Sequence, residues 1–84
     1  MPTIRKQKIL LVVKSPQIAS MLSQHLSTCD VMSFFGTRAG ERYDLIAVMD
    51  VIDTLELEQW VDFSLRPLVA KNGRLFQAAR VVVA

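Results

Sequence analysis

YDLIAVMDVID, residues 43–53, decides how this chain is read. Residues 45–49 are a continuous apolar run, the pattern of a strand buried on both faces of a parallel sheet. Asp50 and Asp53 follow where the run ends, and a helix is expected from about Asp53. Asp53 and Glu56 have the spacing of a capping box, with Asp supplying the cap in place of Ser or Thr. In open α/β sheets, ligands and chemistry collect beyond the carboxyl ends of the strands. Asp50 and Asp53 are therefore the carboxylates to consider for binding a cofactor.

Upstream, KILLVV at residues 8–13 has the same continuous apolar character and reads as a second interior strand. Ser15-Pro16 opens a helix: Ser caps, and Pro suits the first helical position because its missing N–H has no partner there. Ile18, Met21, Leu22, His25, Leu26 and Cys29 then recur at spacings of three and four. They form an apolar stripe expected to pack on the sheet. DVMSFF, residues 30–35, reads as a strand, and GTRAGER, residues 36–42, as a polar loop. That loop is short for a parallel crossover. The strands on either side of it either pair as a hairpin or sit apart in the sheet.

Downstream, Leu57, Trp60, Val61, Ser64, Leu65 and Leu68 mark the buried side of a second helix. Pro67 requires a kink or restart in it. Asn72-Gly73 reads as its stop, and residues 74–76 as a further strand. Val81, Val82 and Val83 are also β-like, and the basic residues 1–7 read as a frayed terminus. The expected architecture is a single α/β domain over residues 1–84: a small Rossmann-like open sheet of about four mostly parallel strands with two main helices.

Composition narrows the functional classes. The 84 residues are 51% hydrophobic, enough for a core and for apolar surface directed at a partner. A chain this short that contains strands often completes its core by forming a homodimer. The single cysteine excludes an internal disulfide and fits a reducing, cytoplasmic setting. No apolar run approaches the roughly 18 residues of a membrane span. The net charge of +2 is divided between basic ends and an acidic centre, with no basic face suited to nucleic acid. One His and one Cys on the same helix make no metal set and no catalytic triad. GTRAG lacks the spacing and lysine of a phosphate-binding loop.

YDLIAVMDVID, the helix through Trp60 to Ala70, and KNGRLF together resemble the class I S-adenosylmethionine-dependent methyltransferase fold. LLVVKSPQIASML is similar to that family's first strand and helix. The resemblance implies S-adenosylmethionine as cofactor, with Asp30, in CDVMSFF, beside the adenine and Asp50 at a strand end. The family's glycine-rich turn after its first strand is missing here, as is the acid that holds the ribose, where Val13 and Lys14 stand. KILLVVKSPQIASMLSQHL also looks like the start of a bacterial receiver domain. Lys14-Ser15 occupies the place of the receivers' Mg²⁺-binding acidic pair, and Asp50 falls one residue after their phosphoacceptor. Without these cofactor devices the expected function is a non-enzymatic module with no cofactor, acting through a protein partner or a second copy. A nucleoside-binding methyltransferase-like domain and a degenerate receiver-like regulator are the alternatives. Aromatic residues concentrate interface energy, so Phe63, Trp60, Phe34 and Phe35 are the candidate contact residues. Phe63 leads because it lies off its helix's apolar stripe.

Overall fold

The computed structural model describes residues 7–38 and 40–77. The elements run β1 (Ile9–Val13), α1 (Pro16–His25), β2 (Asp30–Ser33), β3 (Tyr43–Val48), α2 (Leu55–Trp60) and β4 (Val69–Gln77). A wide π turn (Val61–Leu65) and a 3₁₀ turn (Arg66–Leu68) join α2 to β4. All strands are parallel, in the order β2-β1-β3-β4. The expected small open α/β sheet is what forms. Residues 1–6 and the β-like Val81, Val82 and Val83 lie outside the described residues.

The two apolar runs lie side by side at the centre, with Leu10 opposite Ile46 and Val12 opposite Val48. β2 and β3 sit apart, with β1 between them. Because side chains alternate across a strand, each run serves two faces. One face carries Leu10, Val12, Met32, Ile46 and Val48 into the core, where they meet Leu57, Trp60, Val61, Leu65 and Leu68. Those five residues come from the expected stripe of the second helix, and all are buried. The opposite face carries Ile9, Leu11 and Val13, with Leu45 and Ala47 beside them in register.

α1 covers only part of that opposite face, packing on β2 and β1. Its start is as expected: Ser15 Oγ accepts from the Ile18 N–H at 3.2 Å, and Pro16 occupies the first turn. Its stripe is far less covered than the spacing implies. No α1 residue is buried, Ile18 and Met21 are 42% and 53% exposed, and His25 faces solvent. The helix ends at His25, before Cys29.

The connection from β2 to β3 crosses β1 without a helix. Residues 34–42 reach roughly 30 Å when extended, enough to run the length of a strand and pass over one neighbour. Phe34 and Phe35 stack against Trp60 with ring centroids 6.0 and 5.6 Å away, and Trp60 Nε1 donates to the Gly36 carbonyl at 3.2 Å. The crossing therefore lies on the α2 side. Phe35 has φ 63°, rare for a bulky side chain, and ends β2 in a tight turn closed by Gly36 N–H to Ser33 O at 3.1 Å. β2 thus stops at Ser33, short of the six residues read as strand.

Two boundaries around the second helix differ from the sequence reading. Thr54, not Asp53, is the cap: its Oγ1 accepts from the Leu57 N–H at 3.1 Å. The helix also ends sooner. Pro67 has no N–H, and its ring clashes with a carbonyl four residues back in an α-helix. The chain widens into a π turn, in which the Arg66 N–H reaches Val61 O, and then tightens around Pro67. β4 begins at once, so Asn72-Gly73 lies inside a strand. The register with β3 shifts there, between Tyr43 opposite Val69 and Leu45 opposite Arg74. A Cβ on Gly73 would stand 2.7 Å from the Tyr43 carbonyl oxygen, which is why the bulge takes a glycine.

Candidate functional site

In this strand order the chain leaves β1 in one direction for β2, and β3 in the other for β4. The crevice outside the carboxyl ends of β1 and β3 is the topological switch point, where doubly wound sheets bind ligands. Lys14 and Ser15 follow β1 there, and Met49 and Asp50 follow β3. A groove of about 340 Å³ opens at this point between α1 and the sheet. Its walls are Leu11, Val13, Ile18, Leu22 and Met49, and its charged members are Lys14 and Asp50. Asp50 also shapes its own backbone, its Oδ1 accepting from the Val51 N–H at 2.8 Å. Asp53 is exposed, one residue before the cap of α2.

Asp30 lies at the other end of the sheet. It starts β2, beside Leu10 in the register, and belongs to a polar cluster at the amino ends of the strands. The Tyr43 hydroxyl donates to Asp30 Oδ2 at 2.8 Å, and Arg38 Nη1 lies 3.5 Å from the same oxygen. Lys8 Nζ sits 5.2 Å above the Tyr43 ring and pairs with Glu41. The Lys8 backbone N–H donates to Asp44 Oδ2 at 2.8 Å. Tyr43 is fully buried; burial first, and the Asp30 hydrogen bond second, push its phenol up to about 12. The structure thus brings Asp50 and Asp53 to one end of the sheet and Asp30 to the other. Among the described residues, no group of three His, Cys, Asp or Glu side chains is placed to hold a metal ion.

The aromatic candidates divide as sharply. Phe63 is 79% exposed and Phe35 57%, whereas Trp60 is buried and Phe34 packs against the core. Trp60 faces inward, where it fixes the β2–β3 crossing.

A surface that local reading misses lies on the face α1 only half covers. Leu11, Ala47 and Phe76 form one row across β1, β3 and β4, and Leu45 and Arg74 sit in the next. Phe76 is 54% exposed and Met49 59%. A second hollow, of about 420 Å³, lies among Asp44, Leu45, Arg74 and Phe76. The signal is present in the residues but spread over three strands, and only the register assembles it. No described helix is long and apolar enough to cross a membrane. No family model, curated protein or solved structure matches the chain.

Proposed function

We propose that this chain is a non-enzymatic α/β module that acts through contacts with another protein. The observation that carries the reading is the half-covered sheet face, where, among the described residues, Leu45, Ala47, Met49 and Phe76 have no helix of the kind that covers Leu10 and Ile46. Exposed apolar patches rimmed by polar residues mark interaction surfaces. The distribution of carboxylates adds support. A cofactor-binding reading needs Asp30 and Asp50 to converge, and they stand at opposite ends of the strands. Calorimetric titration with S-adenosylmethionine and S-adenosylhomocysteine tests this reading, and no binding heat is expected. Micromolar binding that disappears in Asp50→Ala replaces it with a nucleoside-binding function.

A receiver-like regulator is the second reading. It is supported by the order β2-β1-β3-β4, which matches the start of the order that receivers share with flavodoxins. Treatment with acetyl phosphate and Mg²⁺, followed by mass spectrometry, tests it. A phosphate on Asp50 favours this reading over the first.

A further inference from the structure

We infer that the half-covered face binds a second copy of this chain, about a twofold axis passing near Ala47. This rests on the interaction-module reading and names its partner. The argument is the arrangement of charge around the apolar rows. Toward the amino end of β3 the face carries Arg74 and Asp44, which line one hollow. Toward the carboxyl end it carries Lys14 and Asp50, which line the other. Leu45 on β3 and Met49 just past its end, one in each hollow, are four residues apart in extended chain, so the hollows are separated by about 13 Å. Each end thus holds one base and one acid.

A twofold axis lying in the interface, parallel to the sheet and running across its strands between the two hollows, lays the carboxyl end of one copy over the amino end of the other. Asp50 then faces Arg74 of the second copy and Lys14 faces its Asp44, and the same two pairs recur on the other side of the axis. An isologous interface has to be complementary to itself in this way. A partner of different sequence places no such demand on the face. The apolar content agrees. Leu11, Ala47 and Phe76 form the middle row, where the two copies press together, and the exposed sides of Ile18 and Met49 extend it. Among the described residues, the charged groups lining these hollows stand at the two ends, as in interfaces with an apolar centre and a polar rim.

Sedimentation velocity of the full chain over a concentration series tests this. A dimer is expected. Phe76→Asp shifts it to monomer while circular dichroism keeps the native spectrum, because Phe76 is half exposed and its removal leaves the core intact. Phe63→Ser, on the α2 side, leaves the dimer unchanged. Asp50→Arg and Arg74→Asp each weaken association by about tenfold or more, and the double variant restores it, because the pair is exchanged across the axis. Restoration is the signature a misfolded variant cannot give. A chain that is monomeric at every concentration overturns the dimer and leaves the module reading standing, whereas binding of S-adenosylmethionine overturns the module reading itself. A dimer untouched by Phe76→Asp and by both reversals uses another surface and overturns the assignment. A double variant no tighter than the singles overturns the twofold pairing.

Discussion

The Tyr43 hydroxyl reaches past β1 to donate to Asp30 Oδ2 at 2.8 Å, tying the start of β3 to the start of β2. The two strands share no backbone hydrogen bonds, so this side-chain bond is a direct link between them. Tyr43→Phe keeps the ring in the core and deletes only the donor. It is expected to cost about 1 kcal/mol, measured by urea denaturation. Asp30→Ala leaves the buried hydroxyl without its acceptor and is expected to cost at least as much. Equal stability of the wild type and Tyr43→Phe rules out the tie.

The same phenol sets an alkaline limit on stability. The unfolded chain loses this proton near pH 10, whereas burial and the Asp30 bond raise the folded value to about 12. Between these values the native state holds more protons than the unfolded one. Its stability therefore falls as pH rises from about 10 to about 12, and the full contribution is present below that window. Tyr43 is the only tyrosine, so phenolate absorbance reports it directly. A titration midpoint near 10 would contradict the buried setting.

Gly73→Ala places a methyl 2.7 Å from a backbone oxygen of β3. Backbone cannot step aside as a flexible side chain can, so the bulge has to distort. A loss of about 1–3 kcal/mol is expected from thermal unfolding.

Thr54 and Asp53 separate the two possible caps of α2. Thr54→Ala is expected to cost about 1 kcal/mol, since it removes the acceptor for the Leu57 N–H. Asp53→Ala, at an exposed position, is expected to stay within about 0.5 kcal/mol. A larger effect at Asp53 would reverse the assignment.

Trp60 and Phe63 have opposite roles despite lying one helical turn apart. Trp60→Ala empties a core site and frees the Gly36 carbonyl, with an expected cost of about 3–5 kcal/mol. Phe63→Ser changes stability by no more than about 0.5 kcal/mol. Denaturation of the two variants side by side distinguishes a core aromatic from a surface one.

The interior strands are legible in the sequence because burial on both faces leaves an unbroken apolar run, and no other local structure of that length calls for one. The start of α1 is legible for a similar reason: Ser15 and Pro16 satisfy the helix end by themselves. β4 is not. Pro67 and Asn72-Gly73 are strong local signals for a break and a stop, and pairing with β3 overrides them by recruiting residues 69–73 into a strand. The position of Asp30 depends on the register of β2 against β1, which no local pattern encodes. The α1 stripe announces an amphipathic helix. It does not say how much of the stripe a sheet will cover, and that quantity opens the groove at Ile18.

The order β2-β1-β3-β4 also bears on how the chain acquires its shape. β1 is made first yet ends in the interior, flanked on both sides by strands synthesised later. During translation one hydrogen-bonding edge of its greasy segment, the edge β2 does not take, stays bare until residues 43–48 have emerged and crossed over. Parallel pairings between distant segments form slowly, and such exposed edges invite aggregation. The nascent chain is most vulnerable in that interval, when a chaperone that holds extended apolar peptides has the most to protect.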